Sequence, residues 1–205
     1  MIQAKALDLG LAHRIRTVCA DLDDGWPVPG PVDLTWASMS LHHLSDPARV
    51  LGDVFTATRT GGLVAVAEFS DELRFLPDDL GFGRPGLEAR TLDVLREQHA
   101  AALPHLGADW SALLSTAGFA VLAERAFAID LRPPQSPAAT RYACRWFERL
   151  RSGVAPLLAD DDRDALDRLL DGDTAGSLCR RDDLHVRGTR TVTLARRPPH
   201  QTPGD

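Results

Sequence analysis

A chain of 205 residues, 44% of them hydrophobic, is long enough for one domain with a sizeable core, and no apolar run approaches the roughly 20 residues a membrane helix needs. A formal net charge of −6 argues against a dedicated nucleic-acid surface, which needs clustered Lys and Arg. Cys19, Cys144 and Cys179 show no metal or redox spacing, and no charged start with an apolar h-region opens the chain, so the expectation is a cytoplasmic, reduced protein with no membrane partner.

In chain order, Ile2 to Leu11 carries apolar residues at helical spacing, with Gly10 placed to end the helix. Ile15 to Leu22 and Val32 to Ser38 read as strands, separated by the acidic turn Asp21-Leu22-Asp23-Asp24. Ser45 or Asp46 caps the next helix, with Pro47 at its first position; Val50, Leu51, Val54 and Phe55 make its apolar face, and Gly61-Gly62 stops it. Leu63 to Phe69 is the clearest central strand. Ser70 to Gly86 is rich in Asp, Gly and Pro and reads as a long functional loop. Leu87 to Ala102 and Asp109 to Gly118 are predicted helices, Ala120 to Leu131 a strand closed by Pro133-Pro134, Pro137 to Arg151 and Asp160 to Leu170 helices, and Thr189 to Arg196 a last strand. Arg197 to Asp205 is expected to be a disordered tail. A single lysine, Lys5, and no asparagine read as the codon bias of a GC-rich bacterial genome.

Strand, helix, strand with short polar turns is the order of a parallel nucleotide-binding sheet, whose ligands sit beyond the carboxyl ends of the strands. From Ala4 to about Asp71 the residues resemble the class I S-adenosylmethionine-dependent methyltransferases, in particular the branch acting on small molecules. The matches are Ala20-Asp21-Leu22 closing one strand, Pro31-Val32-Asp33-Leu34 opening the next, Leu41-His42-His43-Leu44 before the acidic-Pro helix start, and Thr60-Gly61-Gly62. The resemblance implies a Rossmann-like α/β fold, a mostly parallel sheet with helices on both faces, and S-adenosylmethionine as cofactor. It implies that Ala20, Asp21 and Leu22 lie at the adenine, that Ala37 and Ser38 face the methionine part, and that the last strand runs antiparallel to Leu63–Phe69. The family's Gly-x-Gly turn and ribose-holding acid have no counterpart, so the expectation is a domain that lacks its N-terminal strand-helix-strand and binds the cofactor weakly. Residues 1–196 are read as a single domain with helical cap insertions at 71–118 and 133–185.

Asp21 has two readings, an acceptor for an exocyclic amine and a turn former bonded to its own backbone. His42 and His43, being adjacent, are expected to point in different directions; either can serve as a base near neutral pH, or hold the loop and line the pocket without reacting, and no metal site is expected from them. Glu68 reads as the partner of a nearby Arg, and Asp160-Asp161-Asp162 as charges at a helix N-terminus. Trp110, Tyr142, Trp146 and Phe147 are either core or the wall of an apolar substrate pocket. Two functions remain: methyl transfer to a small molecule, or a non-catalytic binding or structural remnant of such an enzyme.

Overall fold

A computed structural model describes residues 2–27 and 30–199. Its sheet orders the strands β1 (Val32–Ser38), β2 (Thr58–Phe69), β4 (Val186–Arg196) and β3 (Ala120–Leu131) side by side. β1 and β2 are parallel, from Leu34 opposite Leu63 to Ser38 opposite Ala67. β4 is antiparallel to both its neighbours, pairing Leu63 with Arg196 and Phe69 with Arg190 on the β2 side. Three strands therefore run one way and one is reversed. The reversal follows from connectivity, because β2 and β3 both leave the sheet at the end where the cap sits and β4 returns from that cap.

The crossover between β1 and β2 is the helix α2 (Pro47–Ala57), preceded by α1 (Ile2–Asp8) at the start of the chain. Asp46 caps α2 by accepting the Arg49 N–H at 2.9 Å, and Val50, Leu51 and Val54 bury its inner face. The helix ends at Ala57, short of Gly61-Gly62, because Thr58 turns extended and its hydroxyl donates to the Val54 carbonyl. The two glycines lie within β2 instead, where Gly61 (φ +79°) and Gly62 exchange backbone hydrogen bonds with Arg197. Arg197 also donates to the Phe55 and Thr56 carbonyls, so it is tied to the sheet and does not belong to a free tail; residues 200–205 of that expected tail lie outside the described residues.

The expected strand Ile15–Leu22 is not formed. Residues 15–21 are exposed and pair with no strand, and an extended segment without a ladder partner is only a loop. Helical cover is likewise uneven. α2 and α4 (Trp110–Thr116) pack Val50, Leu51, Val54, Trp110 and Leu114 against Val64, Val66 and Ala195 on one face, whereas on the other face of β1 Leu34 and Trp36 are exposed.

The rest of the insertions form one helical cap. α3 (Leu87–Ala102), α5 (Pro137–Val154) and α6 (Asp160–Leu170) enclose Phe75, Leu92, Phe147, Leu166 and Leu178. α4, read from sequence as part of the cap insertion, belongs to the sheet cluster. Asp162 is buried and bonded by Arg84 and Arg90, which ties α6 to the 71–86 loop and α3; the Arg90 hydrogen bond holds its carboxyl below the usual carboxylate range. Cys144 of α5 and Cys179, distant in sequence, are joined in a disulfide with their Cα atoms 6.4 Å apart, so the cysteines are not all reduced as expected. No described helix is long and apolar enough to cross a membrane.

Candidate functional site

β1 and β2 end next to each other, and the chain leaving β1 turns over their tips. Met39 adopts a left-handed backbone (φ 55°) while its N–H donates to the Ala67 carbonyl at 2.9 Å. This brings a single 3-10 turn, Leu41–His43, over Glu68. One Glu68 oxygen accepts the backbone N–H groups of Ser40 and Leu41, each at 3.1 Å, and the other meets His42 Nδ1 at 2.6 Å. Both side chains are buried, 3% and 4% exposed. Glu68 is thus the partner of a histidine and two amides, not of an arginine. A buried carboxylate that fills its acceptor sites is a rigid fixture, and removing it would strand three donors. A charged residue ending an otherwise apolar strand was the sequence signal for such a fixture.

His43 follows on the same turn and is exposed. Its ring centre lies 4.1 Å from that of His42, so the adjacent imidazoles do not diverge. Partial burial lowers the His43 pKa below its ordinary value, His42 adds to the lowering, and Glu68 opposes it. The consequence is a neutral, exposed imidazole near pH 7 at the strand tips.

Asp21 Oδ1 accepts the Asp23 N–H at 3.0 Å, the turn-forming geometry, and its other oxygen has no partner among the described residues. Asp23 accepts the Ser45 N–H, Arg49 donates to the Leu22 carbonyl, and Leu22 and Trp26 pack against the Leu41 cluster. These contacts hold Ala20, Asp21 and Leu22 beside the turn that carries His42 and His43. Ala37 packs inward and Ser38 is exposed at the tip of β1. Ser38 and the His42–His43 turn therefore lie at the carboxyl ends of β1 and β2, while Ala20–Leu22 lie in a loop fastened to Ser45 and Arg49.

Beyond Phe69 a cleft of about 420 Å³ opens between sheet and cap, lined by Ser70, Asp71, Glu72, Arg74, Arg96 and Arg187 among others. That is the size of a small-molecule site. Trp110 and Phe147 are core, Trp146 is partly buried, and Tyr142 is 48% exposed; none of them lines this cleft. Among the described residues no group of three or more His, Cys, Asp or Glu is placed to hold a metal ion.

No family model matches the sequence. Solved structures do. The YcgJ protein of Bacillus subtilis is 12% identical, with 96% of this chain and 77% of that one covered, at a TM-score of 0.50. A protein from Bacillus halodurans, provisionally described as a methyltransferase, is 15% identical over 91% of this chain and 79% of that one, at 0.49. One from Galdieria sulphuraria, provisionally described as a sarcosine dimethylglycine methyltransferase, is 12% identical over 96% and 64%, at 0.44. At such identities the likeness is one of fold. Together with the strand order and the reversed β4, the likeness to YcgJ makes this a Rossmann-like α/β fold.

Proposed function

We propose that this protein transfers the methyl group of S-adenosylmethionine to a small-molecule acceptor bound in the cleft beyond Phe69. The observation that supports the reading is the carboxyl end of β1 and β2, where Ser38 and the turn carrying His43 lie where ligands of open α/β sheets bind, and where Phe69 and Ser70 line a cleft of about 420 Å³. The residues present fit parts of the cofactor. Asp21 keeps one carboxylate oxygen free for the adenine amine, Ala20 and Leu22 flank it, and Ala37 and Ser38 end the strand that would face the methionine.

When bound, S-adenosylmethionine supplies a methyl group already activated on a sulfonium. The chain then has to align the acceptor, exclude water and take up a proton where the acceptor carries one. His42, locked to Glu68, sets the turn. His43 is the proton acceptor, because its environment keeps the ring neutral. Its lowered pKa makes the folded state bind fewer protons than the unfolded one, so this contribution is full above the ordinary histidine pKa and is lost as pH falls through the folded value.

Two measurements test this. Calorimetry should show saturable S-adenosylmethionine binding at millimolar concentration or below, about −4 kcal/mol or better, weakened roughly tenfold or more in Asp21→Ala because a charge-assisted hydrogen bond is removed. Absence of saturation sinks the reading, and unchanged affinity in a folded Asp21→Ala protein removes Asp21 from the site. In an NMR titration the His43 ring should titrate below the ordinary histidine value of 6.5; titration at or above it rules out His43 as a neutral base.

A further inference from the structure

The arginines around the cleft are not equally balanced. Arg74 and Arg187 form an antiparallel bridge in which each backbone N–H donates to the other's carbonyl, at 2.8 and 2.9 Å. In a pair that exchanges both hydrogen bonds the two side chains leave on the same face, here the face of the cleft that both residues line. Like charges directly opposite one another cost stability. Arg187 is relieved: it donates to the Leu76 and His185 carbonyls and lies 3.8 Å from Glu88. Glu88, whose oxygens also accept the Phe75 and Leu76 N–H groups, feels the charge of both Arg187 and Arg74 without forming an ion pair with Arg74.

The two acids of the cleft, Asp71 and Glu72, form no ion pair with Arg74. Glu72 lies 3.8 Å from His99 Nδ1, and its charge, with that of Asp71, acts on Arg190, which is held over the Phe69 ring at 4.5 Å. Arg96, on the cap wall, is paired with Asp93. Arg74 is left half-buried, with no side-chain hydrogen bond or ion pair among the described residues, beside a second guanidinium. A guanidinium that lines a cleft beside a second arginine, with no ion pair of its own among the described residues, is free to take up an anionic group.

We infer that Arg74, with Arg187 beside it, binds an oxyanion, a carboxylate or a phosphate, carried by the methyl acceptor. The word acceptor rests on the proposed methyl transfer; the anion site stands on the arginine pair alone. A planar guanidinium fork suits such groups because it can give two parallel N–H donors to one oxyanion. The site is separate from the strand tips, so it would anchor one end of the acceptor and leave the other free to reach the rim.

The test uses the full chain without cofactor, titrated with inorganic phosphate or with acetate at matched ionic strength and followed by amide NMR. Saturable shifts are expected at Asp71, Arg74, Gly107, Arg187 and Gly188, the tighter of the two ions naming the group. Arg74→Met should weaken that binding at least tenfold, whereas Arg132→Met, which alters an exposed arginine paired with Asp130, should not. Shifts that never saturate, that centre elsewhere, or that persist unchanged in Arg74→Met overturn the site. S-adenosylmethionine binding by the same Arg74→Met protein should stay within about twofold of the unaltered chain, and a tenfold loss would also overturn the assignment by placing Arg74 in the cofactor site. Failure of the unaltered chain to bind S-adenosylmethionine removes the methyl-transfer reading and leaves the anion site to be judged on phosphate and acetate.

Discussion

The segment from Ile2 to Val18 and the helical cap are both rich in large apolar residues, yet they end in opposite states. Ile2, Leu7, Leu9, Ile15 and Val18 are between 41% and 71% exposed, and Ala6 alone is buried in α1. In the cap, Phe75, Leu92, Phe147 and Leu166 are fully enclosed. Apolar periodicity gives an element a face, but burial needs a second element across from it. The cap has three helices and a loop converging on one another, whereas among the described residues the N-terminal helix packs mainly on the short turn that follows it. Free energy should follow that division, with the stability of the chain carried by the cap and the α2–α4 cluster and almost none by residues 2–18.

The largest test of this contrast is Phe147→Ala. Emptying that enclosed site should cost about 3–5 kcal/mol and lower the melting temperature by several degrees or more; a loss under about 1 kcal/mol would mean that the cap core is loose. Next is the bond between Cys144 and Cys179, which closes a loop across a sequence separation of 35. Cys144→Ser should cost about 4 kcal/mol in the chain-entropy account of such loops. A reductant should lower the melting temperature of the unaltered chain and leave that of the variant in place; equal melting in both conditions would show that the bond adds nothing. The smallest effect belongs to the other region: Ile15→Ala, at a residue 41% exposed, should change stability by no more than about 0.5 kcal/mol. A cost of 2 kcal/mol there would erase the contrast and require a packing partner for the segment.

Much of the architecture is legible residue by residue. Leu87–Ala102, Ala120–Leu131 and Asp160–Leu170 form with the boundaries expected, because their signals are local: an apolar period and a change of composition at each end. Local signals also mislead locally. Gly61-Gly62 reads as a helix stop, yet Thr58 has already ended α2 and the glycines are absorbed into β2. Of the site, Ser38 and the Leu41–His43 turn are placed where the strand order puts them, at the tips of parallel strands. Asp21 lies in a loop held through Asp23, Leu22 and Arg49 instead of by strand pairing.

By itself the sequence determined the helices, the four strands, the crossover between β1 and β2, and the edge of the sheet where polar residues gather. These depend on neighbours within a few positions, which backbone geometry and side-chain periodicity dictate. Only the tertiary structure decided that Ile15–Leu22 has no ladder to join among the described strands, that Glu68 serves His42, that Cys144 lies against Cys179, and that Arg74 stands opposite Arg187 with no ion pair of its own among the described residues. Each of these turns on groups 26 or more residues apart, or on a partner that is missing altogether. Pairing energy depends on distance in space, and a linear pattern carries no record of which remote residue the folded chain brings within reach.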